Sequence, residues 1–196
     1  MSPKILVIDA EPERAQALAA ALTGAGFDNV VRLEAGADLV DTVNRLAPDL
    51  VVIDMALPDR DALESVRSLS AAAPRPIAIF ADEDDPEFVE QAIAAGVCSY
   101  NLSGVSTRDM KAIVLSAIAL FRRYSRVETE LAGANAQLAE RRLIERAKAQ
   151  LMAERKLSEP QSYRWLRTKA MNENKKIAQV AAELIKGDDA DALLKP

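Results

Sequence analysis

Two aspartates hold the most reactive positions in this chain. Asp9 closes the run Lys4-Ile-Leu-Val-Ile8, and Asp54 closes the run Leu50-Val-Val-Ile53. Each follows a short apolar stretch of the kind that forms a parallel strand covered on both faces. Both carboxylates should therefore emerge at strand ends. Two neighbouring acids repel, so a divalent cation stabilises the pair, and hard oxygen ligands favour Mg²⁺. A carboxylate beside Mg²⁺ is also a competent phosphoryl acceptor. A single aspartate at a strand end more often caps the following loop; the pair favours a site. The chain has no histidine and one cysteine, Cys98. That excludes Ser–His and Cys–His nucleophiles, His-ligated zinc, an internal disulfide and any multi-cysteine zinc centre.

The elements that must position these acids are legible in the first 112 residues. Strand candidates are Lys4–Ile8, Val30–Leu33, Leu50–Ile53, Ile77–Phe80 and Ser99–Leu102. Between them, Glu13–Ala25, Asp38–Leu46, Arg60–Ala72 and Pro86–Ala95 carry apolar residues at helical spacing. Gly26 and Gly96 follow helices and suit left-handed C-caps. Five βα units of this size predict a flavodoxin-like parallel sheet of order 2-1-3-4-5. Ligands then bind at the carboxyl ends of the strands, at the switch point between strands one and three.

The rest of the chain is built differently. Residues 1–112 hold nine basic and nineteen acidic residues, a net of −10, whereas 135–186 hold twelve basic and six acidic, a net of +6. An acidic module tied to a basic helical one points to a regulated nucleic-acid binder, although such runs are often only solvated helix faces. Ile113, Ala117, Leu120, Tyr124, Val127, Leu131, Ala134 and Leu138 alternate at spacings of four and three, an a/d seam that predicts a long helix pairing with a second copy. Tyr124, Val127, Leu131 and Leu138 are the candidate dimer contacts. Beyond Leu138 the apolar positions shift to Leu143, Ile144, Ala147, Leu151 and Met152. Ser158 and Gln161 form a capping-box signature with Pro160 in the first turn, and Tyr163, Leu166, Ala170 and Met171 are the expected buried face of that helix. Asn172 or Asn174 is expected to cap a third helix, with Ile177, Val180, Ala181, Leu184 and Ile185 inward and Gly187 at its end. The expected organisation is 1–112, a coiled-coil linker 113–138, a three-helix bundle 139–187 and a flexible tail 188–196.

Both parts resemble known families. The segments around Asp9, Asp54-Met-Ala-Leu-Pro58 and Ala95–Leu102 resemble the receiver domain of bacterial response regulators. That resemblance implies that Asp54 is the phosphoacceptor and that Asp9 with Asp54 holds Mg²⁺. Three positions depart from the pattern: Ala10 replaces a second acid, Ala81 a hydroxyl residue, and Ser103 a lysine, with Gly104 in place of proline. Electrostatic stabilisation of a phosphoryl group is thereby weakened, so Asp54 is expected to be retained in an inactive, pseudo-receiver form. The stretch Arg142–Met152, Ser158–Arg167, Ala170-Met171 and Asn174–Ala181 resembles the ANTAR domain, with Ala149-Gln150 as a departure. Gln150 is an exposed RNA-facing change or a neutral one.

ANTAR proteins bind paired hairpins in leader RNA and prevent terminator formation. Lys148, then Arg167, Arg146, Lys175 and Lys176, are the candidate RNA contacts. For Arg142, Arg155 and Lys156 a solvated-surface role is at least as fitting; Tyr163 and Trp165 pack, with base stacking as the alternative for Trp165. The pieces Arg32-Leu33…Gly36–Leu39, Asp54-Met55…Pro58–Asp61 and Glu83–Pro86 are most similar to nitrate-assimilation regulators of the NasT type. This resemblance implies control of nitrate and nitrite reductase genes and a nitrate-sensor protein partner that sequesters the regulator. The expected setting is cytoplasmic, with no membrane segment and no enzymatic activity. The rivals are a DNA-binding response regulator, disfavoured because no tight Gly-containing turn joins the C-terminal helices, and a phosphoryl-transfer enzyme.

Overall fold

A computed structural model describes residues 2–33, 38–56, 60–83 and 85–192. Gly36, Ala37, Pro58, Asp59 and Asp84, which carry part of the NasT-type resemblance, lie outside the described residues. The chain divides into two compact units, Met1–Arg126 and Val127–Pro196.

The first unit is a five-stranded parallel sheet of order β2-β1-β3-β4-β5. The strands are β1 (Lys4–Ile8), β2 (Asn29–Arg32), β3 (Leu50–Met55), β4 (Ile77–Ala81) and β5 (Ser99–Leu102). Central β3 and β4 are almost wholly buried, which is why their sequences are continuous apolar runs. Edge strands β2 and β5 are only partly buried and carry Asn and Ser. Alternate residues of each strand face opposite sides of the sheet. Ile5, Val7, Val52 and Phe80 pack with Leu18 and Leu22 of α1 (Pro12–Gly24) and with Met110, Val114 and Ala117 at the start of α5 (Thr107–Arg155). Leu6, Val51, Ile53, Ile77 and Ile79 pack on the other side. There they meet α2 (Leu39–Leu46), α3 (Arg60–Ala72) and α4 (Pro86–Ala94).

Local chemistry sets the helix ends. Asp38 accepts a hydrogen bond from Asp41 N at the start of α2, and Asp85 does the same for Glu87 N ahead of Pro86 in α4. Gly26 and Gly96 adopt φ of 94° and 107° after α1 and α4, the left-handed C-terminal geometry expected of them.

In the second unit, the end of α5, α6 (Glu159–Glu173) and α7 (Ile177–Ala192) enclose Ala147, Leu151, Leu166, Ala170, Val180 and Ala181. Gln161 Oε1 accepts from both the N–H and the hydroxyl of Ser158, at 2.8 and 3.0 Å. Several expectations are corrected here. The buried face of α6 is Ser162, Leu166 and Ala170, not Tyr163 and Met171, because packing follows the strict four-residue row. Met152 is exposed as well. Asn174, at φ 53°, closes the C-terminus of α6 instead of starting α7. Helix α7 passes through Gly187 to Ala192; glycine weakens a helix by only about 1 kcal/mol and does not end it. Residues 193–196 lie outside the described residues.

Candidate functional site

Sheet register assembles the first site. Ile8 pairs with Ile53, which sets Asp9 beside Asp54, and Met55 pairs with Ala81, which brings Asp82 to the same end of the sheet. Helix α1 begins at Pro12, so Arg14 lies in its first turn over the three strand ends. Its three guanidinium nitrogens between them reach three carboxylates, Asp82 being met by both terminal ones. Nη2 donates to Asp54 Oδ1 at 2.9 Å, Nη1 donates to Asp82 Oδ2 at 2.7 Å, and Nε lies 3.5 Å from Asp9 Oδ2. The Asp9 and Asp54 side chains are only 4% and 11% exposed. Asp9 Oδ1 accepts from Glu11 N at 2.8 Å, which leaves Oδ2 for the ion pair.

The carboxyls respond differently to this arrangement. Burial pushes the Asp54 carboxyl up from its ordinary value, against the opposing pull of Arg14. Hydrogen bonds from Arg14 and then Ser103 hold the Asp82 carboxyl down. Arg14 is itself raised, chiefly by its bond to Asp82.

The acids expected at the switch point are thus there, but the cation between them is a side chain. Mg²⁺ demands oxygen ligands at roughly 2.0–2.1 Å in an octahedral shell. Arg14 takes up Asp54 Oδ1 and both oxygens of Asp82, so a shell that used those oxygens must displace it; beside them a cavity of about 440 Å³ is lined by Asp9, Glu11, Arg14 and Asp54. Among the described residues no group of three or more acidic, His or Cys side chains is arranged to hold a metal ion. With Arg14 in this position the acids present no ready-made Mg²⁺ shell. Arg14 and Asp82 were missed in the sequence, although a signal was present: Asp82 follows apolar β4 as Asp9 follows β1, and Arg14 falls in the first turn after Pro12.

The second unit carries the basic residues. Arg167, Lys175 and Lys176 come together along an open groove of about 500 Å³ between α6 and α7, with Met171, Asn174 and Gln179. Met171 is 72% exposed. Lys175 Nζ is held by Glu183 and Glu173 at 2.9 and 3.0 Å; Arg167 and Lys176 are exposed. Two other candidates are not at this groove. Arg146 is exposed on α5. Lys148 is buried, its Nζ 2.7 Å from Glu159 and 2.9 Å from Glu145. Gln150, expected exposed or neutral, is half-buried, and its Nε2 is buried without a hydrogen-bond partner. Trp165 packs on the bundle core with Arg155 over its ring at 4.7 Å and Lys169 at 5.2 Å.

Along α5, Ala117 is buried in the first unit, but Leu120, Tyr124, Val127, Leu131 and Leu138 are 48% to 63% exposed. No described helix is long and apolar enough to cross a membrane.

A doubly wound sheet with carboxylates gathered at its switch point is the architecture of a signal receiver. The profile of the response regulator receiver domain matches residues 5–114, more than half of the chain, and the chain belongs to that family. The ANTAR domain profile matches residues 132–185, so a receiver and an ANTAR domain stand in one chain. The chain is similar along most of its length to the transcriptional regulatory protein PdtaR of Mycobacterium tuberculosis, 27% identical over 185 residues that cover 93% of this chain and 90% of the relative. Its similarity to the DNA-binding response regulator MtrA of Mycolicibacterium smegmatis, 31% over 114 residues, covers 58% of this chain and 50% of MtrA. The receiver domain of the response regulator NarL from Mycobacterium tuberculosis superimposes with a TM-score of 0.51 at 20% identity, covering 60% of this chain and 97% of that one. That likeness is one of fold alone.

Proposed function

We propose that this chain is a transcription antitermination regulator that binds paired hairpins in leader RNA as a homodimer. The observation that carries the reading is the α6–α7 groove, where exposed Arg167 and Lys176 meet beside exposed Met171, with Lys175 anchored between them by Glu173 and Glu183. Hairpin loops present unstacked bases and dense phosphate, which such a combination of cations and apolar surface recognises. Arg146 adds charge from α5. Lys148, bound to two carboxylates, contributes by fixing α5 against α6 so that the groove keeps its shape. The resemblance to PdtaR covers 93% of this chain and so runs across both domains, whereas that to a DNA-binding regulator covers 58% of it.

Dimerisation runs through Tyr124, Val127, Leu131 and Leu138, whose exposure along a heptad seam suits burial against a second copy. The working division is a receiver over 1–112, a pairing helix over 113–138 and an RNA-binding bundle over 139–187. The regulated genes are those of nitrate and nitrite assimilation, and a nitrate-sensor protein sequesters the regulator. Sequencing the RNA that co-purifies with the full chain tests this. Leader transcripts with two adjacent hairpins ahead of such genes are expected; recovery of DNA, or of RNA without paired hairpins, overturns it.

A further inference from the structure

We propose that Arg14 is the receiver's own built-in cation, holding Asp9, Asp54 and Asp82 together and keeping a divalent metal out of the switch-point crevice. Two nitrogens of one planar group hydrogen-bond Asp54 and Asp82 at 2.9 and 2.7 Å, and the third lies 3.5 Å from Asp9 Oδ2, an ion pair without a hydrogen bond, so three strand ends meet one side chain. A guanidinium is always charged and fans its donors in a fixed fork, so one side chain can satisfy acids lying in different directions. Register explains the fit, since β1, β3 and β4 deliver the acids to one end of the sheet and the first turn of α1 delivers the arginine.

The clasp also accounts for residues that a phosphoryl site would leave idle. Asp82 lies directly after Ala81, whose carbonyl accepts from Ser103 N at 2.7 Å. Those two neighbours are the substituted positions at the ends of β4 and β5. Being covalently tethered, Arg14 is present at a fixed local concentration that no change in metal level alters. A metal must displace it, at the cost of separating one positive charge from two hydrogen-bonded carboxylates.

The test is Mn²⁺ binding to the full-length protein, read by loss of the electron paramagnetic resonance signal of aqueous Mn²⁺, with Mg²⁺ as competitor. Wild type is expected to leave the Mn²⁺ signal unchanged through the millimolar range. Arg14→Gln and Arg14→Met remove the charge while keeping the length of the stem, and either is expected to bind Mn²⁺ roughly tenfold or more tightly than wild type. That binding should be reversed by Mg²⁺ and abolished by adding Asp54→Asn. Wild-type protein that takes up Mn²⁺, with uptake lost in Asp54→Asn, overturns the proposal whatever the Arg14 variants do. Folded Arg14 variants that bind no better than wild type overturn it as well.

Discussion

Lys148 Nζ lies 2.7 Å from Glu159 Oε1, and only 9% of the lysine side chain is exposed. The lysine is on α5 and the glutamate opens α6, so the pair ties together two helices of the basic unit. Glu145, one turn before Lys148 on the same helix, supplies a second carboxylate at 2.9 Å. A lysine so held is poorly placed to meet phosphate, whereas Arg167 and Lys176 stand on the open groove.

Substitution should separate these roles. Lys148→Ala leaves Glu145 and Glu159 facing each other without a cation, and a lower melting temperature of the full chain is expected. Arg167→Gln should leave melting unchanged and weaken binding to a two-hairpin leader RNA. Each lost phosphate contact should also reduce the salt slope of binding by about 0.7 to 0.9. Weakened binding by Lys148→Ala with unchanged melting would return that lysine to the RNA surface.

The same pair predicts a pH profile. Glu159 is held below its ordinary value of 4.5, mainly by the hydrogen bond from Lys148. Its contribution is fully present above pH 4.5 and lost as pH falls through the lowered value. Lys148 is held above its ordinary 10.5, first by Glu159 and then by Glu145. Its contribution is complete below 10.5 and lost as pH rises through the raised value. Between these limits the link is pH-independent. Urea denaturation followed by Trp165 fluorescence should show a plateau near neutrality with an acid limb that Lys148→Met flattens.

Charge placed in the α5 seam should dissolve the proposed dimer. Leu131→Lys with Leu138→Lys is expected to shift the mass measured by light scattering from dimer towards monomer. Affinity for a leader with two hairpins should fall further than affinity for one, because the second contact loses its effective concentration. An unchanged dimer would move the interface elsewhere.

Asp54 should not take up a phosphoryl group. Incubation with a small-molecule phosphodonor and Mg²⁺ is expected to leave the intact mass of the wild type unchanged and equal in behaviour to Asp54→Asn. A stable phosphoryl adduct on Asp54 that tightens RNA binding would show that the receiver still switches by phosphorylation.

Gly96 should be among the least replaceable residues of the first unit. Its φ is +107°, and a Cβ there would stand 2.6 Å from Ser70 Oγ. Gly96→Ala combines backbone strain with a steric conflict, and a loss of roughly 1–3 kcal/mol is expected from chemical denaturation. Gly133, where a Cβ meets nothing within 4 Å, should instead gain a few tenths to about 1 kcal/mol of stability on replacement by alanine.

The amino-acid sequence specifies the sheet. Continuous apolar runs at Leu50–Ile53 and Ile77–Phe80 require burial on both faces, and helices of regular spacing between them leave few topologies. It determined the left-handed glycines, the long α5 and the place of Asp9 and Asp54, because strand ends and helix periods are local patterns. What lies between those acids depends on packing between distant segments. Arg14 is forty residues from Asp54 and sixty-eight from Asp82, and no local spacing announces that one guanidinium will meet all three carboxylates. The same holds for Lys148. Its position beside an apolar stripe is legible, but whether it faces solvent or Glu159 depends on how α6 crosses α5. Tyr163 and Met171 look like interior residues in the sequence for a related reason: a helix period leaves two adjacent faces nearly equal in apolar content. The neighbouring helices then chose the face bearing Ser162, Leu166 and Ala170, whose small residues allow closer packing.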